Sequence, residues 1–213
     1  MVNQEKIIDI QKETSGRTIV AATKYTDAKG IRELYRLGIN NFGENRVKAF
    51  LDKYEELADL KIVWHFIGHL QSKKVKSMIE KVDYLHSLDR ISLAEEIQKH
   101  RLMPLNCFLE VNISEEDSKY GLKPTEVVDF YHKIKKYDKI NVVGLMGMAS
   151  FTDDQKLVSN QFKKLADLQM ELNQKANAEI QFLSMGMSND YKIALQFGAT
   201  HLRLGSILFR KED

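Results

Sequence analysis

Eight short apolar runs rich in β-branched residues recur along this chain, separated by longer charged and amphipathic stretches, and that rhythm limits its fold more than any other feature. The runs predict strands over 18–24, 41–44, 62–67, 84–88, 106–112, 141–146, 180–185 and 201–204. The stretches between them predict helices over 30–37, 46–57, 74–82, 91–99, 125–137, 155–175 and 190–197. Pro124 sits at the start of one of these, and Gly38 and Gly198 stand where two others end, as helix-terminal residues do. A further helix comes first, with Ile7, Ile8 and Ile10 set among charges and a stop at Ser15-Gly16.

Strictly alternating strands and helices build either a closed (β/α)₈ barrel, near its lower size limit in 213 residues, or an open doubly wound sheet. Neither nucleotide-binding signature of open sheets is present: no G-x-G-x-x-G follows the first strand, and G-x-x-x-x-G-K-[ST] occurs nowhere. The eighth strand falls close to the last residue, so the helix over residues 1–16 is needed to cover it. The expectation is a single TIM-type barrel domain over 1–213 with that extra N-terminal helix. No linker, repeat or low-complexity stretch interrupts it.

Composition narrows the function classes. Lys plus Arg total 32 against 30 for Asp plus Glu, a net charge of +2, so the basic excess of a dedicated nucleic-acid binder is missing. Cys107 is the only cysteine, which excludes an intrachain disulfide and a cysteine-rich zinc site and fits a reducing cytoplasm. The first residues match neither a signal nor a transit peptide, and no eighteen apolar residues run together, so neither export nor a membrane span is expected.

Barrel chemistry gathers at the C-terminal ends of the strands. Lys24 closes the uncharged run from Thr18; there its stem would lie in the core with a desolvated amine at the barrel mouth, suited to Schiff-base chemistry, or the chain would simply snorkel to solvent. Ser184-Met-Gly-Met-Ser188-Asn-Asp and Arg203-Leu-Gly205-Ser206 end the last two strands, where barrels commonly hold phosphate. Glycine lets backbone N–H groups approach an anion, and Ser188 or Ser206 adds a hydroxyl; Ser188 also reads as a helix N-cap. Alternation puts His201, Arg203 and Gly205 on one face, so Arg203 points either into the mouth, where it needs an acceptor, or to solvent. Asn45 would touch a ligand oxygen or cap the next helix, the spacing favouring the cap. His65 and His69 straddle a strand end and its loop, a poor setting for a zinc pair; Met146, Met148, Met185 and Met187 read as gap-filling core, and Cys107 as inert core.

Taken together, Ala21-Ala-Thr-Lys24, Asn41-Phe-Gly-Glu-Asn45, Trp64-His-Phe-Ile-Gly-His-Leu-Gln71, Gly144-Leu-Met146, Ser184-Met-Gly-Met-Ser188 and Arg203-Leu-Gly-Ser206 resemble the pyridoxal phosphate homeostasis (YggS/PROSC) family, in order over about Thr18 to Phe209. The resemblance implies a barrel like the N-terminal domain of alanine racemase, carrying pyridoxal 5′-phosphate (PLP) as an internal aldimine on Lys24. It implies further that Arg203 faces the pyridine nitrogen, that Ser188, Gly205 and Ser206 hold the phosphate, and that Asn45 lies near the ring. The chain departs from the family pattern at Ala22 and Thr23, at Lys73 and at Arg210.

A guanidinium beside the ring nitrogen disfavours its protonation and weakens the ring as an electron sink. Alanine racemases add a C-terminal β domain and a catalytic residue from the partner subunit, whereas this sequence ends seven residues after Ser206. The resemblance therefore implies a PLP carrier or buffer rather than an enzyme, serving PLP-dependent apoenzymes, and a monomer is expected. Two alternatives stay open: a small PLP-dependent racemase or lyase, and a cofactor-free class I aldolase using Lys24.

Overall fold

In the computed structural model, which describes residues 2–116 and 120–209, the eight strands form one closed, fully parallel barrel in sequential order. They are β1 (Thr18–Ala22), β2 (Asn41–Glu44), β3 (Val63–Phe66), β4 (Tyr84–Leu88), β5 (Leu105–Val111), β6 (Ile140–Gly147), β7 (Phe182–Met187) and β8 (His201–Leu204). Closure runs through β8 and β1, with Thr18 opposite His201 and Val20 opposite Arg203. The expected barrel is therefore the observed one, and most strand ends differ from their predicted positions by one or two residues. Arg210 lies outside the described residues.

The helices are α1 (Gln4–Glu13), α2 (Ala28–Arg36), α3 (Val47–Glu56), α4 (Val75–Met78), α5 (Ile91–His100), α6 (Val127–Ile134), α7 (Gln155–Ala176) and α8 (Tyr191–Gln196). Apolar spacing dictates which face each one buries. Along α7, Val158, Phe162, Leu165, Leu168 and Leu172 form a stripe at intervals of three and four, while Asp154 caps the first turn by accepting from the N–H groups of Lys156 and Leu157. Gly38 and Gly198 follow α2 and α8 with φ of 87° and 83°, the left-handed helix-terminal geometry expected of them.

The helix predicted over 74–82 is instead a short α4 between two 3₁₀ turns, Ser72–Lys74 and Ile79–Lys81. Its apolar side chains Val75, Met78 and Ile79 are buried as the period requires. The carbonyls of Ile79 and Val82, however, accept from the Arg101 guanidinium at 2.5 and 3.0 Å, so that segment closes on a side chain rather than continuing its own ladder.

α1 packs against α8 and the segment after β8, the strand it was expected to cover. Asn3 N–H donates to Leu208 O at 2.9 Å, and Glu13 accepts from the Tyr191 hydroxyl at 2.7 Å and from Lys192 at 3.0 Å. Between strands and helices lies an apolar shell, with Phe50 packed edge-on to Trp64 at 5.4 Å. Cys107 is buried in it, and burial pushes its thiol well above the usual range, as an inert core cysteine requires. Met146 and Met185 are core, whereas Met148 and Met187 are half-buried near the strand ends. Among the described residues no helix is long and apolar enough to cross a membrane.

Candidate functional site

The inward face of β8 decides the Arg203 question. Arg203 is 4% exposed and lies inside the barrel. Its Nη1 donates to the Ser184 carbonyl at 2.7 Å and to Ser184 Oγ at 2.6 Å, and its Nη2 donates to Gly147 O at 3.0 Å. Burial pulls its pKa down to about 10, opposed by the charges of Asp190 and Glu110. It is a fixed, desolvated cation at the C-terminal side of the barrel, not a surface group.

The loops after β7 and β8 are stitched to each other. Ser188 Oγ accepts from the N–H of Gly205 at 3.1 Å and of Ile207 at 3.4 Å, which brings the two backbone donors to one point. Ser206, at the first position of the 3₁₀ turn Ser206–Leu208, is exposed beside them. The expectation that Ser188 caps a helix is not met: the N-cap of α8 is Asp190, whose Oδ1 reaches back to the Met187 N–H at 2.6 Å. Gly186 makes this loop possible, with φ of 90° and a position where a Cβ would lie 2.7 Å from that of Ala194.

Lys24 lies beyond the last residue of β1, in a turn, and is exposed with its Nζ 4.5 Å from the centre of the Tyr25 ring. Of the two readings of Lys24, a desolvated amine or a chain that reaches solvent, the fold provides the second, because β1 ends at Ala22 and the chain turns outward before Lys24. Just before Lys24, the strand end is fixed to β2. Lys53 pairs with the fully buried Glu44 and donates to Thr23 O at 2.6 Å, while Thr23 Oγ1 donates to Glu44 Oε1 at 2.6 Å.

Asn45, one residue past β2, is exposed, and it does not cap α3: the N-cap there is Arg46, with no side-chain hydrogen bond. The fold thus places Lys24, Asn45, Arg203, Gly205 and Ser206 at or near the C-terminal ends of β1, β2 and β8, with Ser188, after β7, bonded to the N–H groups of Gly205 and Ile207.

Other groups enter that the strand-end reading did not single out. Glu110 on β5 is 4% exposed, and its Oε2 is buried without a hydrogen-bond partner. Burial, reinforced by the charge of Asp89, raises its pKa to about 7 against the pull of Arg203 and Arg90. The alternation applied to β8 would have found it, since Glu110 lies two residues from Phe108, whose ring faces His86 inside the barrel. His65 and His69 prove to be unrelated. His65 is buried against His86 and Asn41, whereas His69 stacks on Tyr120 at 3.9 Å in the loops.

Comparison with known proteins agrees with this architecture. The model of the alanine racemase N-terminal domain family matches residues 5–212. A pyridoxal phosphate homeostasis protein of Aquifex aeolicus is 40% identical over 194 residues, covering 90% of this chain and 85% of that protein. One from Schizosaccharomyces pombe is 34% identical over 94% of this chain and 87% of its own. Among solved structures, PipY of Synechococcus elongatus with PLP bound superposes with a TM-score of 0.90 at 29% identity, covering 97% of this chain and 99% of that one. Alanine racemase of Clostridium difficile shares the fold at 12% identity and a TM-score of 0.81, with 56% of its chain covered.

Proposed function

Because this chain belongs to the pyridoxal phosphate homeostasis family, built on the barrel of the alanine racemase N-terminal domain, we propose that it holds PLP at the C-terminal mouth of that barrel as a carrier or buffer of the cofactor. The observation that carries this reading is Arg203, a buried guanidinium whose hydrogen bonds go to protein acceptors, set beside the loops after β7 and β8.

The residues present fit the group. The N–H donors of Gly205 and Ile207 converge on Ser188 Oγ with the Ser206 hydroxyl exposed alongside, a donor set suited to a phosphate. Lys24 offers an exposed primary amine one loop away. When bound, PLP supplies an aldehyde that links reversibly to an amine. In this reading Lys24 is the attachment point, Arg203 faces the pyridine nitrogen, Asn45 borders the ring, and Ser188, Gly205 and Ser206 hold the phosphate.

Arg203 also argues for storage over turnover. Protonating a ring nitrogen beside a guanidinium sets two cations against each other, so the ring stays a poor electron sink. The relatives likewise carry the name of homeostasis proteins rather than that of an enzyme. We read residues 1–213 as one domain acting as a cytoplasmic monomer that gives up PLP to apoenzymes. One observation favours the second reading, a small racemase or lyase: Glu110, with a pKa near 7, is suited to acid–base work.

The test is spectroscopic and chiral. Purified protein loaded with PLP should show a yellow band that borohydride abolishes, should restore an added apoenzyme, and should leave single enantiomers of amino acids unracemised. A colourless protein would return the class I aldolase to consideration. Turnover near the usual enzyme range of about 1–1000 per second would replace the carrier with the racemase.

A further inference from the structure

Below Arg203 the barrel is filled by a line of polar side chains that the cofactor reading does not use. Ser184 Oγ lies 2.8 Å from His86 Nδ1, His86 Nε2 lies 2.9 Å from His65 Nδ1, and His65 Nε2 lies 2.9 Å from Asn41 Oδ1. Asn41 Nδ2 in turn donates to Asn40 Oδ1 at 2.8 Å, on the exposed end of β2. The line thus begins at Arg203 and crosses from β8 through β7, β4 and β3 to the entry end of β2.

Its hydrogens can be placed by elimination. Asn41 Oδ1 only accepts, so His65 Nε2 must donate to it, and the order that this sets leaves Ser184 Oγ accepting from Arg203 and turning its own hydrogen to His86 Nδ1. Burial holds both rings neutral, so His86 carries its proton on Nε2 and gives it to His65 Nδ1. His65 then carries its proton on Nε2, where Asn41 Oδ1 accepts it. Each hydrogen bond points the same way. Stacking clamps the rings in that orientation, His65 on Tyr84 at 4.7 Å and 8° and His86 on Phe108 at 4.3 Å and 30°.

Such a line cannot relay a proton, because one end is a guanidinium with no proton to spare and the other an amide with no basic site. What it can do is fix an orientation. We infer that His65 and His86 are positioning residues that act through Ser184 to hold the Arg203 guanidinium in the geometry in which it meets the cofactor ring. The inference rests on the proposed function for the identity of the ring, but not for the order of the hydrogen bonds.

Two measurements test it. In the ligand-free wild type at neutral pH, long-range ¹H–¹⁵N correlation of the imidazole rings, assigned with His65→Gln and His86→Gln, should give the neutral Nε2–H form for both. Either ring as Nδ1–H or as imidazolium overturns the line. In binding assays, His86→Leu should weaken PLP and phosphate-free pyridoxal alike, by about tenfold or more, as loss of a fixed charged donor requires. His86→Gln, which keeps one donor and one acceptor, should recover most of that loss.

Unchanged binding of both ligands by His86→Leu overturns the inference, and so does a loss confined to PLP, which would place the effect at the phosphate. Should His86→Leu fail to fold, Ser184→Ala is read by the same criteria. A wild type that takes up no PLP defeats the proposed function, while the ring protonation states still decide the order of the line.

Discussion

Inside the barrel, from Ser184 under Arg203 to the entry end of β2, Ser184, His86, His65 and Asn41 are buried or half-buried with their hydrogen bonds arranged in one line; at the C-terminal end, Glu110 buries an oxygen with no partner while Lys24, Asn45 and Ser206 face outward. A buried polar group without a partner costs about 1–3 kcal/mol, whereas a hydrogen bond that is made contributes about 0.5–1.5 kcal/mol. The line inside the barrel is therefore arranged for rigidity, and the C-terminal end keeps reactive and hydrogen-bonding groups exposed at some cost in stability. This division suits a protein that must present a fixed cation to a ligand and still let the ligand leave.

The largest expected effect breaks the C-terminal end alone. Lys24→Ala should remove covalent attachment of PLP entirely, so that no yellow band survives borohydride-free dialysis, yet leave thermal unfolding unchanged, because the side chain is exposed and outside the core. Weak retention through the phosphate donors is compatible. A band equal to that of the wild type would move the attachment point to another amine.

The barrel interior should reveal itself in acid. Burial lowers the pKa of His65 and His86 well below 6.5, and that of His201 to about 4. In the unfolded chain these rings take up protons near 6.5 while the folded state does not. Stability should accordingly fall as pH drops below about 6.5, by up to about 1.4 kcal/mol per pH unit for each ring. For His201 the loss levels off near its folded pKa of about 4. Denaturant titrations through this window should give the slope, and His65→Gln and His86→Gln should each flatten it. A profile flat from neutrality to pH 4 would mean that the rings are charged inside the fold.

The same division explains what could be read from the residues in order. The barrel was legible because parallel strands are buried on both faces and so appear as continuous apolar runs, and Arg203 stood out as a charge within one of them. The line below it was not. His86 and Ser184 are 98 positions apart and meet only because the barrel closes, and nothing local distinguishes a histidine that aims at another histidine from one that fills space. For Lys24 the sequence left a buried-stem and a solvent-facing reading open, since the run 18–24 looks continuous, and the end of β1 at Ala22 decides for the exposed one. The capping assigned to Ser188 and Asn45 follows local spacing, and the tertiary stitch between Ser188 and Gly205 overrides it in one case.

Glu110 sharpens the contrast between the barrel interior and its C-terminal end because its pH dependence has the opposite sign. Its pKa rises from 4.5 to about 7 on folding, so the native state keeps a proton that the unfolded state has lost, and this residue erodes stability as pH rises through that interval. Glu110→Gln should be close to neutral below pH 4.5 and should stabilise the ligand-free protein by about 3 kcal/mol above pH 7. A gain independent of pH would show that the carboxyl is not held protonated by burial.

The smallest expected effect separates two serines that lie side by side. Ser206 is exposed, and among the described residues no hydrogen bond from its hydroxyl holds the fold together, so Ser206→Ala should cost PLP affinity without a change in stability. Ser188 Oγ, in contrast, already ties down the N–H groups of Gly205 and Ile207, so Ser188→Ala should lower both affinity and stability. In the proposed site each hydroxyl would donate to a charged phosphate, a bond contributing roughly 1.5–3 kcal/mol, and the double variant should lose preference for PLP over pyridoxal accordingly. The backbone donors remain in every variant, so some preference should survive. Calorimetric titration with both ligands provides the comparison: equal losses for PLP and pyridoxal would take the phosphate away from the β7 and β8 loops and leave Arg203 as the anchor at this end of the barrel.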